Sequence, residues 1–164
     1  MKRILLAGAA LIAAAAVTPA LADNVNVANA TGTAAVTIFT PITVTQTQGL
    51  DFGTITSGVA GSVAINPADG SRQVAGGVGA VAADVGAPGA FQVTGQQNAA
   101  INVVVDNAIV GFAGGITGFT KVGTLPTALN GATASFAVGG VLNIPAKTQA
   151  GTYKGTYNVA VNYP

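Results

Sequence analysis

The sequence predicts an all-β fold, an antiparallel sandwich or barrel, on three observations. Apolar β-branched and aromatic residues alternate with polar ones over short stretches, the period of a strand buried on one face. Tight-turn dipeptides, Asp69-Gly70 and Asn130-Gly131, fall between such stretches and suit hairpins. Glycine, alanine, valine and threonine dominate, and no segment beyond Ala22 sustains a helical period. Together these predict about eight or nine strands at the spacing of a sandwich or barrel.

The amino terminus reads as a secretory signal peptide over residues 1–22. Lys2 and Arg3 precede an almost unbroken apolar run at 4–17, and Pro19 leads to the small-x-small site Ala20-Leu21-Ala22. The alternative, an uncleaved membrane anchor, is disfavoured by the shortness of the run. Residues 23–33 are small and polar, with a brief Val25/Val27 alternation. They read as a flexible N-terminal extension able to become a strand against a partner, or else as a disordered tail. Residues 34–164 are expected to form the β-sandwich domain, which is long enough for one real core.

Within that domain, 34–47 is the first strong β segment, with Val36, Ile38, Ile42 and Val44 on one face. Pro41 lacks a ladder donor, so the strand should be an edge or kinked in two. Leu50 and Phe52 are expected in the core. Residues 62–66 form a strand that Asp69-Gly70 returns into 71–74. The glycine- and alanine-rich stretch 75–89 reads as a loop. Its Gly76-Gly77-Val78-Gly79 is no phosphate cradle, because neither Lys-Ser/Thr nor a strand-to-helix frame follows. Strands at 90–95 and 100–105 flank the turn Gln96-Gln97-Asn98. Residues 111–118 are loop or weak strand and 119–122 a strand. Asn130-Gly131 leads into a strand at 133–138, and 141–146 carries the chain to a last turn.

The closing stretch is the most regular. Gly151, Tyr153, Gly155, Tyr157, Val159, Val161 and Tyr163 alternate with mostly polar residues, which predicts one long strand from 151 to 163. Its tyrosines can pack in the core of the same sandwich, or the strand can pair along its edge with another chain. One strand has both a face and an edge, so the two readings are compatible.

Composition excludes several functions. The sequence contains no histidine, cysteine or glutamate, so no side chain has an ordinary pKa near neutrality for acid–base work. The five aspartates, at 23, 51, 69, 84 and 106, lack the spacing of a carboxylate dyad or a calcium loop. No enzyme, no cofactor and no metal site is expected. After cleavage at Ala22 the four remaining basic residues face five acidic ones, a net charge of −1. No basic patch remains for nucleic acid. No membrane span is expected in the mature chain.

Several of these motifs resemble known families. Gly151 is fourteenth from the end and Tyr163 penultimate, similar to the terminal strand of chaperone–usher pilin subunits. Leu50-Asp51-Phe52-Gly53-Thr54-Ile55, and Ile144-Pro145-Ala146 with Ala150-Gly151-Thr152-Tyr153, resemble the spore-coat-U-like secreted proteins. They resemble even more a set of uncharacterised proteobacterial secreted domains, domain of unknown function 4402. The resemblance implies an immunoglobulin-like, pilin-like sandwich lacking one strand. A periplasmic chaperone would lend a strand first, and the N-terminal extension of a like subunit would replace it. By position, Gly151, Tyr153, Tyr157, Val159, Val161 and Tyr163 would form the recognition strand, with Val25 and Val27 as candidate donor residues. The pilins' common disulfide has no counterpart here.

The leading expectation is therefore a structural subunit of a fimbria or similar surface appendage, exported to the periplasm and then the cell surface, and assembled by β-strand exchange. The alternatives are a self-sufficient secreted sandwich that binds a surface glycan or matrix partner, and a small outer-membrane β-barrel. Thin aromatic girdles and short strands count against the barrel.

Overall fold

A computed structural model describes residues 28–164. The sandwich is built by the unit Thr37–Pro164, and residues 28–36 are exposed and carry no strand. The signal peptide, Val25 and Val27 lie outside the described residues. Nine strands are present among those described: β1 (Thr43–Gln48), β2 (Ile55–Ile65), β3 (Arg72–Ala80), β4 (Gly89–Thr94), β5 (Asn102–Val105), β6 (Ala108–Ile109), β7 (Thr117–Val122), β8 (Thr133–Ile144) and β9 (Val159–Asn162).

All pairings are antiparallel. Seven strands form one sheet in the order β1-β4-β8-β2-β3, with β7 joined to β8 and β6 to β7. The second sheet has only β5 and β9. Strand β1 pairs with β4 alone and β3 with β2 alone, so neither sheet closes and the fold is a sandwich rather than a barrel. Strand β1 is an edge of the large sheet, and Pro41 lies just outside it.

Strand β8 is the spine. Its first half pairs with β4, from Thr94↔Thr133 to Gly89↔Val138. Its second half pairs with β2, from Ile65↔Gly140 to Gly61↔Ile144, and with β7. Phe136, Val138, Leu142 and Ile144 are buried at every second position; Gly140, buried in the same series, has no side chain, and a Cβ there would stand 2.9 Å from the Phe52 ring. Leu50 and Phe52 can thus lie against the strand only because it has no side chain there. They are half-buried and pack on the core rather than within it.

The core has two parts. One joins Phe91, Val93, Phe136 and Val138 of the large sheet to Val103 of β5, with Val159, Val161 and Tyr163 packed on it. The other joins Val63, Val78, Leu142 and Ile144 to Ile109 and Ile116, with Phe112, Tyr153 and Tyr157 packed on it. The small sheet covers the first part. Over the second part, the layer opposite the large sheet has no ladder.

Four expectations need correction. Residues 34–42 form no strand, and Val36 and Ile38 are exposed. Pro41 offers no N–H, and pairing with β4 begins only at Thr43. Residues 75–80 are strand rather than loop. There β3 crosses β2 so closely that a Cβ on Gly77 would collide with the Val59 side chain, and the register shifts between Ser57 and Gly61. Glycine at this point marks a close backbone approach. The segments expected at 133–138 and 141–146 form one strand. The long closing strand shrinks to Val159–Asn162, with one isolated bridge from Thr156 to Val110. The predicted turns stand: Gly70 and Gly131 have φ of 71° and 66°, and Asp69 Oδ1 accepts the Ser71 amide at 2.9 Å.

Candidate functional site

The stretch that fails to form a ladder keeps its alternation. From Tyr153 to Tyr163 the odd residues are half-buried and the even ones exposed. Between Gly151 and Tyr157 only Thr156 exchanges backbone hydrogen bonds among the described residues, giving and receiving one of 2.8 Å with Val110. In extended chain, main-chain groups of successive residues point to opposite edges. Those of Thr156 face Val110, so those of Gly155 and Tyr157 face away from it, along an edge where no strand lies among the described residues. Tyr153 and Tyr157 therefore turn their side chains to the core, as Gly155 does its bare Cα, and their N–H and C=O to an open edge.

A groove of about 560 Å³ runs along this segment. Residues 50–55 form the opposing wall, and Ile109, Phe112, Ile116 and Leu142 supply an apolar floor. Charge is confined to Asp51, Asp84 and Lys154 among its lining residues. Arg72 fixes the 50–55 wall: its Nη1 donates to the carbonyls of Phe52 at 3.4 Å, Thr54 at 3.1 Å and Asp84 at 2.5 Å, and its Nη2 to Val81 at 2.7 Å. The Thr54 hydroxyl donates to Asp84 at 2.6 Å, and that bond first of all holds the Asp84 carboxyl below the usual carboxylate range. Sequence reasoning missed Arg72, since one lone arginine gives no periodic signal.

The predicted recognition residues divide into three groups. Tyr153, Tyr157 and Gly151 line the groove. Gly151 is exposed, and a Cβ there would meet only the Tyr153 ring at 3.9 Å, so nothing within the chain demands glycine. Gly155, by contrast, must be small, because Phe112 and Ile109 lie where its Cβ would be. Val159 and Val161 are committed to the domain itself, facing Val105 and Val103 of β5 in the ladder. Tyr163 is a tie between loops: its hydroxyl accepts the Gln96 amide at 2.6 Å and donates to the Thr40 carbonyl at 2.7 Å. Val25 and Val27 lie outside the described residues.

Tyr157 sits where the two core clusters meet, edge-on to Phe91 at 6.1 Å. Its hydroxyl is buried without a hydrogen-bond partner among the described residues. The Gln46 side chain is near enough to act on it but is not in bonding geometry, and burial pushes the hydroxyl above the ordinary tyrosine range.

Residues 42–163 match the model of a protein family described as a domain of unknown function (DUF4402). The chain belongs to this family. The matched stretch includes both walls of the groove and begins just after the exposed residues 28–41. No curated protein and no solved structure matches the chain. Among the described residues of this DUF4402 domain, no helix is long and apolar enough to cross a membrane, and no group of residues could hold a metal ion.

Proposed function

We propose that the protein is a structural subunit of a fimbria-like surface appendage, whose groove takes up an extended strand from another polypeptide. The observation that carries this reading is the double orientation of Tyr153, Gly155 and Tyr157. The rings of Tyr153 and Tyr157 and the bare Cα of Gly155 face an apolar floor, while their main-chain groups face an edge with no strand among the described residues. An inserted strand would pair with that edge and lay alternate side chains on the floor, the usual mode of β-augmentation. Ladder bonds would supply affinity and the floor would set register. The chain would be exported by its signal peptide, a periplasmic chaperone would hold the groove first, and a like subunit would then replace it at the surface. The role is structural, not catalytic.

The test is Gly151→Leu. The position is open, so the domain should fold with an unchanged thermal midpoint, while the new side chain blocks the groove mouth. Assembly into multimers, measured by sedimentation and by surface display, should be lost. Normal assembly by a folded Gly151→Leu chain would sink the proposal.

A further inference from the structure

We infer that Asn130 is a deamidation site that the fold keeps closed, and that Asn98 is the residue that closes it. In an Asn-Gly pair the glycine nitrogen can attack the asparagine Cγ, because glycine has no side chain to hinder the approach. A bond forms from that nitrogen to Cγ, and the bond from Cγ to the side-chain nitrogen breaks. Ammonia leaves, carrying the proton that the glycine amide gave up through hydroxide. Water then opens the resulting succinimide at either carbonyl, which leaves aspartate or isoaspartate. Asn130-Gly131 is the single Asn-Gly pair in the sequence, and Asn130 is exposed. Isoaspartate would put an extra backbone carbon into a turn that Asn130 and Thr133 close with bonds of 2.9 and 3.4 Å.

The turn's own bonds leave the critical nitrogen free. Asn130 is its first residue and Thr133 its fourth, and such a turn is closed by the amide of the fourth. The Gly131 N–H, at the second position, needs an acceptor from elsewhere. It donates to Asn98 Oδ1 at 3.0 Å, across 33 residues of sequence, and the Gly131 carbonyl accepts the Asn98 amide at 2.6 Å. One residue thus holds both polar groups of Gly131, and its φ of 56° is one that asparagine adopts more readily than most. For attack, the Gly131 nitrogen must shed its proton and swing toward the Asn130 side chain, which breaks these bonds. Asp69-Gly70, the one comparable pair in the sequence, is held likewise, with the Gly70 amide donating to the Asn66 carbonyl at 2.9 Å. Bonds from Gly95 N–H to the Ala132 carbonyl at 3.0 Å and from Leu129 N–H to the Ala99 carbonyl at 2.9 Å zip the two loops together. The zipped loop includes Gln96, whose amide Tyr163 accepts, so damage at Asn130 would reach that tie. The inference is independent of the strand-accepting reading.

Asn98→Gly isolates the clasp, because glycine accepts the left-handed backbone and keeps the main-chain bond while losing the Oδ1 acceptor. The whole chain, wild type and variant, is aged in mildly alkaline buffer, and Asn130 is followed by peptide mass and isoaspartate content. Deamidation at Asn130 should be about two- to tenfold faster in the variant, the worth of one hydrogen bond. Hydrogen exchange of the Gly95 amide should keep its wild-type rate, because the turn has not opened. In concentrated urea the two chains should react equally, since the clasp exists only in the fold. Equal rates in the folded chains would overturn the inference. So would a rise matched by faster Gly95 exchange, which would make Asn98 a general brace for the turn. A difference that persists in urea would overturn it as well. Adding Asn130→Gln to the variant should remove the modification, and its persistence would place the reactive residue elsewhere and sink the inference.

Discussion

The Tyr163 hydroxyl donates to the backbone oxygen of Thr40 across 123 residues of sequence, at 2.7 Å. The hydroxyl oxygen of Tyr163 also accepts the Gln96 amide, so one side chain joins the end of β9, the loop after β4 and the exit point of the exposed N-terminal segment. Gly95 permits this, because a Cβ there would occupy the hydroxyl's position.

Tyr163→Phe keeps the ring against Phe39 and removes both bonds. The Gln96 amide then loses its acceptor in a part-buried site. The expected cost is about 1–2 kcal/mol, read as a lower urea midpoint at an unchanged slope. Protease cleavage around residues 37–41 should accelerate as the segment loses its anchor. A variant with the wild-type midpoint and cleavage rate would show that the tie carries no energy.

Much of this was legible in the sequence, and the misses have physical causes. The closing alternation gave the inward face of Tyr153, Tyr157, Val159, Val161 and Tyr163, because period two records burial on one side. It could not show that only Val159–Asn162 has a neighbouring strand, since a ladder depends on another segment. Val36 and Ile38 fit a strand pattern equally well, and the same reasoning placed them in one. Their exposure is visible only once β1 is seen to start after Pro41. Glycines 76 and 77 suggested a loop through their flexibility, whereas they serve a close crossing of two strands.

Arg72 ties the two loops that shape one wall of the groove, donating to four carbonyls. A lysine places one compact ammonium where a planar fork now spans two loops. Arg72→Lys should cost about 1–2 kcal/mol, well below the sum of four bonds, because exposed carbonyls regain water. The wall should loosen as well, so multimers of the variant should dissociate faster on dilution than those of the wild type. An unchanged dissociation rate despite lower stability would mean that the wall takes no part in docking.

Tyr157 makes the last prediction. Its hydroxyl is buried and unpaired, 2.5 Å from where a Gly89 Cβ would stand, and a buried polar group without a partner destabilises the fold. Tyr157→Phe keeps the edge-on contact with Phe91 and removes the orphan, so at neutral pH the variant should equal the wild type or exceed it by up to about 1 kcal/mol. The pH dependence follows from the raised folded-state pKa. The unfolded chain ionises this tyrosine near the ordinary value of about 10, while the folded chain resists. Stability from the neutral form is therefore complete below that pH and is lost as pH rises toward the folded value. Urea midpoints measured from neutrality to beyond pH ~10 should fall more steeply for the wild type than for Tyr157→Phe. Parallel curves would mean that Tyr157 ionises as readily folded as unfolded. A variant clearly less stable than the wild type at neutral pH would mean that the hydroxyl has a partner in solution.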